Sequence, residues 1–292
     1  MKRQIQNSCR AILRPIARAA RRALTPATEP VVFDWHRIDQ GVAKDCSLLL
    51  PRNQPITKAI CSGAYESETM RFVSKLVKAD SCCYDIGGHY GYYTMALSAI
   101  ATEGAVHTFE PVHEHAVRIQ KGVERSSLTK TRIHETAVAK ACGEMKLRFA
   151  GEDSDDSMAY LDEYGGVDTE AAKAHYQQFK ESIVPTISID QATELHGTPD
   201  FIKIDAEGAE GAILEGGVQT ISSAKPRLLI EVHGIHEALH CSDVLNAMDY
   251  QAILLSKQKT TLPVLWVDRR DTEAVEAAKS ILGTSPTTFF NH

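Results

Sequence analysis

From residue 81 onward, short apolar runs alternate with longer segments in which apolar positions recur every three or four residues. Residues 82–86 (Cys-Cys-Tyr-Asp-Ile) read as a buried strand, 87–91 as a glycine turn and 92–100 as a helix. The same rhythm predicts strands at 105–109, 132–138, 201–204 and 227–232, a helix at 113–125, and two closing strands at 253–255 and 262–267. Residues 145–149 are expected to hairpin beside the third strand after the turn at Gly143. Strands buried on both faces read as continuous apolar runs, and their alternation with helices predicts an open, mainly parallel α/β sheet with helices on both faces. In such sheets ligands bind beyond the carboxyl ends of the strands. The residues just after each strand are therefore the candidates for chemistry.

The first strand leads into Asp85-Ile86-Gly87-Gly88-His89-Tyr90-Gly91. Gly87 and Gly91 permit tight reversal and close approach of backbone to a ligand, and the helix that follows offers a positive N-terminus. A dinucleotide fingerprint would need glycine where His89 and Tyr92 stand, which argues against NAD or FAD. The second strand ends at Glu110, where an acid can accept the vicinal hydroxyls of a ribose. Turn and acid together favour a nucleoside cofactor. The fourth strand carries Lys203 among Phe201, Ile202 and Ile204, then Asp205 and Glu207 where strand becomes loop. Such a group is electrostatically costly unless its members pair or bind something. The fifth strand ends Glu231-Val232-His233, and His233 can serve as a base near neutral pH. His233, His236 and His240 also admit a zinc reading, though a weak one.

Charge changes the picture at the ends of the chain. Residues 1–28 hold seven basic side chains and no acid, with apolar residues at helical spacing; the remainder carries a net charge of −13. The reading divides the chain into a basic amphipathic arm (1–30) that can meet a membrane surface, a lead-in region (31–80), the α/β domain (81–270) with an acidic insertion or lid at 151–182, and a C-terminal tail (271–292). An acidic body disfavours nucleic acid as a partner. Seven cysteines without a C-x-x-C point away from a disulfide framework or zinc ribbon and toward a reducing, cytoplasmic setting. No apolar run approaches a membrane span.

From Gly63-Ala64-Tyr65-Glu66 to Glu231-Val232-His233, through Y-D-I-G-G-H-Y-G-Y-Y-T, F-E-P, S-I-D (188–190), F-I-K-I-D-A-E-G-A-E and K-P-R-L-L-I-E-V-H, the chain resembles the FkbM family of S-adenosylmethionine-dependent methyltransferases. The resemblance implies a class I methyltransferase (Rossmann-like) fold of seven strands with the last antiparallel. It implies methyl transfer to a hydroxyl of a sugar, glycolipid or secondary metabolite. Asp85, Gly87 and Gly91 are then expected at the methionine end of S-adenosyl-L-methionine, Gly88 and His89 also at the cofactor, Glu110 on the ribose, and Thr136 and Ala137 near the adenine. His89 stands where the family usually has asparagine. Asp205 and His233 are rival bases, Lys203 fixes a carboxylate or the acceptor, and Glu207 and Glu231 support them. Should a divalent ion take part, Asp205 and Glu207 are its expected ligands; the sequence requires none. The alternative is a methyltransferase-fold scaffold without activity, and a second rival is a nucleotide-sugar enzyme on a related sheet.

Overall fold

A computed structural model describes residues 31–149, 159–163, 180–255, 262–283 and 288–289. The basic arm and most of the acidic insertion lie outside the described residues. The chain enters through a two-stranded antiparallel hairpin, β1 (Phe33–Arg37) and β2 (Ser47–Pro51), and two helices, α1 (Pro55–Cys61) and α2 (Ser67–Leu76). The α/β part follows as β3 (Cys82–Ile86), α3 (Tyr92–Ile100), β4 (Ala105–Phe109), α4 (His113–Arg125) and β5 (Thr131–His134). Next come β6 (Ala137–Val138), β7 (Gly143–Phe149), β8 (Ala159–Leu161) and β9 (Lys180–Ile187). The chain then continues as α5 (Ile189–His196), β10 (Phe201–Ile204), α6 (Glu210–Glu215), α7 (Val218–Ala224), β11 (Arg227–Val232), α8 (Gly234–Asn246), β12 (Tyr250–Leu254), β13 (Leu262–Asp268), α9 (Thr272–Leu282) and β14 (Thr288–Phe289).

The main sheet has the order β14-β12-β13-β11-β10-β3-β4-β5. Strands β5, β4, β3, β10 and β11 run parallel, and β13 lies antiparallel between β11 and β12. This is the expected seven-stranded arrangement, with the two-residue β14 added at the edge. Alternation along the central strands feeds two separate cores. Cys83, Phe201 and Leu229 pack on one face, while Tyr84, Ile202, Leu228 and Ile230 pack on the other. Covering helices on both sides are what allow these strands to be apolar throughout. Where described, the expected tail is α9, capped by Asp271, which accepts from Ala274 N, and tied to the sheet by Arg227 on the Asp271 carboxylate.

Two expectations change. The predicted strand 132–138 is divided: β5 ends at His134 in the main sheet, and β6 belongs to a second, four-stranded sheet ordered β6-β9-β7-β8. The segment 145–149, expected to hairpin beside the third strand, pairs instead with β8 and β9 in that second sheet. The chain turns at Glu135 and Thr136, where Thr136 N donates to His134 O, and leaves one sheet for the other. Leu147, Phe149, Leu161 and Val184 form a core of their own there with Ala137 and Val112.

Candidate active site

The carboxyl ends of β3, β4, β10 and β11 surround one cleft. Its opposite walls come from the second sheet (Ala137, Val138, Leu147, Ala159, Leu161) and from the lead-in region (Ile56, Tyr65).

The turn after β3 is built on Gly87, whose φ is +80°. A Cβ there would stand 2.0 Å from the carbonyl oxygen of Asp205, so any side chain would force the loop and the end of β10 apart. His89 also lies in the left-handed region, at φ +47°. Its backbone N–H donates to Glu110 Oε2 at 2.8 Å, and its ring rests on Tyr90 with centroids 3.7 Å apart. Burial drives the imidazole pKa down to about 3, so the ring is neutral in the cleft wall.

Glu110 is buried yet lines the cleft. Burial alone would raise its pKa. His115, 3.6 Å from Oε1, and the backbone N–H groups of His89 and Val112 outweigh that and hold the carboxyl below its ordinary value. Oε2 accepts the His89 N–H, and Oε1 accepts the Val112 N–H with His115 beside it.

Beneath the cleft floor lies a charged layer. Asp85 is fully buried and accepts from Thr94 Oγ1 at 2.7 Å. Burial raises its pKa despite the nearby ammonium of Lys203. Lys203 Nζ donates to Gly87 O at 2.8 Å and stands 3.7 Å from Asp85 Oδ1 and 3.6 Å from Asp205 Oδ2. Burial would discharge the lysine, but Asp205 and Asp85 hold its pKa above the ordinary value.

At the rim stand Asp205, Glu207 and His233. His233 Nε2 is 3.7 Å from Asp205 Oδ1 and 3.5 Å from Glu207 Oε2, while its Nδ1 meets Glu210 Oε1 at 2.8 Å. Glu210 is wholly buried and also accepts from Gly208 N. Burial works against the imidazolium, but Glu210, Glu207 and Asp205 together raise the His233 pKa to about 9. Burial, with Asp205 as a like-charged neighbour, pushes Glu207 up to about 7 although His233 opposes this. At neutral pH, therefore, His233 is charged rather than a free base, and Glu207 is poised to exchange a proton. One ligand atom each from Asp205, Glu207 and His233 lies within 4.8 Å of the others, a spacing that also admits a divalent ion.

Of the residues the sequence points to, Gly87, His89, Glu110, Ala137, Asp205 and His233 line the cleft, as do Glu207 and Glu231. Asp85, Gly88, Gly91 and Lys203 are not among its lining residues; Asp85 and Lys203 are buried. The His233-His236-His240 spacing does not form a metal group among the described residues, since His240 Nε2 turns to Glu215 Oε1 at 3.3 Å. Sequence reasoning missed His115 behind Glu110, Glu210 behind His233, and the wall from β7 and β8. For Glu210 the signal was present, three residues after Glu207 in D-A-E-G-A-E, on the first turn of α6.

A doubly wound sheet with a glycine turn, a strand-end acid and a charged cluster around one carboxyl-edge cleft defines a Rossmann-like α/β protein. The sequence model of the methyltransferase FkbM domain matches residues 85–254, more than half of the chain, and the chain belongs to that family. Comparison with curated proteins returns no match. Among solved structures, methyltransferase FkbM from Methylobacillus flagellatus KT is similar at 17% identity and a TM-score of 0.46, over 73% of this chain and 52% of that one. The chain thus spans about half the length of that relative. TYW2 of M. jannaschii in complex with AdoMet aligns at 9% identity and a TM-score of 0.45, over 83% and 87%. The O-methyltransferase from Bacillus cereus in complex with SAH aligns at 13% identity and a TM-score of 0.42, over 70% and 80%.

Proposed function

We propose that this chain is an S-adenosyl-L-methionine-dependent methyltransferase acting on a hydroxyl of a sugar, glycolipid or secondary metabolite. One observation carries the reading: the Gly87–Glu110 side and the Asp205–Glu207–His233 cluster face a single cleft. The lining suits the cofactor. Phe109, Ala137, Val138 and Leu147 offer an apolar slot for a purine, and the ionised Glu110 carboxylate beside them is an acceptor for ribose hydroxyls.

Bound there, the cofactor supplies an electrophilic methyl group on a sulfonium. The protein's part is alignment, exclusion of water and removal of one proton. Lys203 ties the Gly87 carbonyl to Asp205 and so fixes the turn relative to the acceptor side. Asp205 or Glu207 would take the proton that the acceptor hydroxyl gives up when it receives the methyl group. His233, oriented by Glu210, keeps a positive charge beside the carboxylate that receives it.

The test has two parts. Calorimetry should register binding of S-adenosylhomocysteine. Mass spectrometry of hydroxylated glycan and lipid extracts incubated with protein and methyl-labelled cofactor should then find a product heavier by one labelled methyl in place of hydrogen. Absence of cofactor binding would favour the scaffold alternative. Dependence of turnover on added Mg²⁺, lost in Glu207→Gln, would move Asp205 and Glu207 from proton acceptance to ion ligation.

A further inference from the structure

Away from the Asp205–Glu207–His233 cluster, three imidazoles from three elements converge. His107 lies in β4, His134 ends β5 and His196 ends α5. One nitrogen of each lies within 4.8 Å of one nitrogen of each of the others. His107 Nδ1 and His134 Nε2 are 3.1 Å apart. The rings are stacked near-parallel: 15° between His107 and His134, 20° between His107 and His196, and 30° between His134 and His196. A hydrogen-bonded pair would account for two of these rings. The third, brought in from a helix end, is stacked against both, with centroids 5.0 Å from His107 and 4.3 Å from His134.

The positions are held by the fold. Parallel register sets Phe109 opposite His134 and His107 opposite Arg132. Tyr84 OH reaches the carbonyls of Ala192 and Gly197, pinning the end of α5 that carries His196 against β3. The one guanidinium in register, Arg132, is turned by its Nη1 onto the carbonyls of Thr129 and Thr131.

We propose that His107, His134 and His196 bind one borderline transition-metal dication of the zinc type, with solvent as the fourth ligand. Imidazole nitrogens suit such ions, and tetrahedral ligands at ~2.0–2.1 Å from the metal stand roughly 3.3 Å from one another. The His107–His134 nitrogens are already at that separation. In the metal-free cluster one of those two nitrogens carries the proton of their hydrogen bond. When the ion binds, both lone pairs turn to it and that proton moves to the other nitrogen of the same ring. Three neutral imidazoles then ligate without net proton release. The ion would clamp the edge strand β5 to α5, just before the chain crosses to Ala137 in the cleft wall.

The experiment titrates full-length, metal-stripped protein with Zn²⁺ against a chromophoric chelator, and with Co²⁺ in parallel. His233→Ala serves as a control that separates this site from the Asp205–Glu207–His233 cluster, whose spacing also admits a divalent ion. One equivalent of Zn²⁺ should bind, Co²⁺ should give the strong visible bands of tetrahedral coordination, and the thermal midpoint should rise with metal. His196→Ala should weaken binding by roughly 100-fold or more and abolish the thermal shift, while His233→Ala leaves both unchanged. His134→Gln, checked by circular dichroism, repeats the test on the β5 ligand. No tight binding in the wild type, equal binding in His196→Ala and His134→Gln, or loss that follows His233 instead would each overturn the site.

Discussion

Two charged layers lie next to each other at the carboxyl edge of the sheet, and they differ in kind. The lower one, Asp85 with Lys203, is buried, and its ammonium pairs with carboxylates and a backbone carbonyl. The upper one, Asp205, Glu207 and His233, reaches the cleft with its proton affinities displaced: His233 up to about 9 and Glu207 up to about 7. Charges that secure a fold are paired and shielded, whereas charges that do chemistry are left in contention and within reach of a ligand. One motif in the sequence, F-I-K-I-D-A-E, feeds both layers, giving Lys203 to the lower and Asp205 and Glu207 to the upper. A single strand end therefore serves both purposes, with Lys203 facing down and Asp205 shared between them.

The sharpest way to break this distinction is Lys203→Ala. It should cost about 3–5 kcal/mol of stability in urea unfolding, because it leaves Asp85 buried without its counter-charge. Stability near wild type would mean the lower layer is not structural. Asp205→Asn should lower turnover by ~10²–10⁴-fold while leaving S-adenosylhomocysteine affinity and the unfolding midpoint nearly intact. Equal loss of binding and turnover would return Asp205 to the lower layer. Glu110→Ala should weaken cofactor binding by about 1–3 kcal/mol in calorimetry, the cost of orphaning buried partners and losing a ligand acceptor. A further test sharpens the picture through pH. The folded-state pKa of His233, about 9, lies above the ordinary 6.5, so the folded chain holds an extra proton between those values. The stability this group contributes is complete below pH 6.5 and is lost as pH rises through about 9. In His233→Ala the corresponding fall in thermal midpoint should disappear.

Much of the sheet was legible because its central strands are covered on both sides and read as unbroken apolar runs, each ending at a turn. The strand-end residues Gly87, Glu110, Asp205 and His233 were legible for the same reason: the topology sends such positions to one edge. What failed was the passage from β5 to β6. A change of sheet leaves Arg132 to Val138 patterned like a single strand, and only the third dimension separates His134 from Ala137. The walls from Leu147 and Leu161 were hidden with it. The His107–His134–His196 cluster was equally out of sight, since its members share no local motif and meet only through strand register and the docking of α5. Lys203, expected to fix a carboxylate or the acceptor, stands beside the Asp85 and Asp205 carboxylates and outside the cleft lining, a depth that alternation along a four-residue strand buried on both faces does not reveal.

The contact between Gly87 and the Asp205 carbonyl has a kinetic corollary. The loop proposed to receive the donor and the strand proposed to present the proton acceptor touch backbone to backbone. Neither can be re-aimed without the other, so the donor, by filling its half, completes the surface against which the second substrate is received. If the proposed function holds, initial-rate and product-inhibition kinetics should show ordered addition, donor first, with discrimination among acceptors left to the walls around the seam.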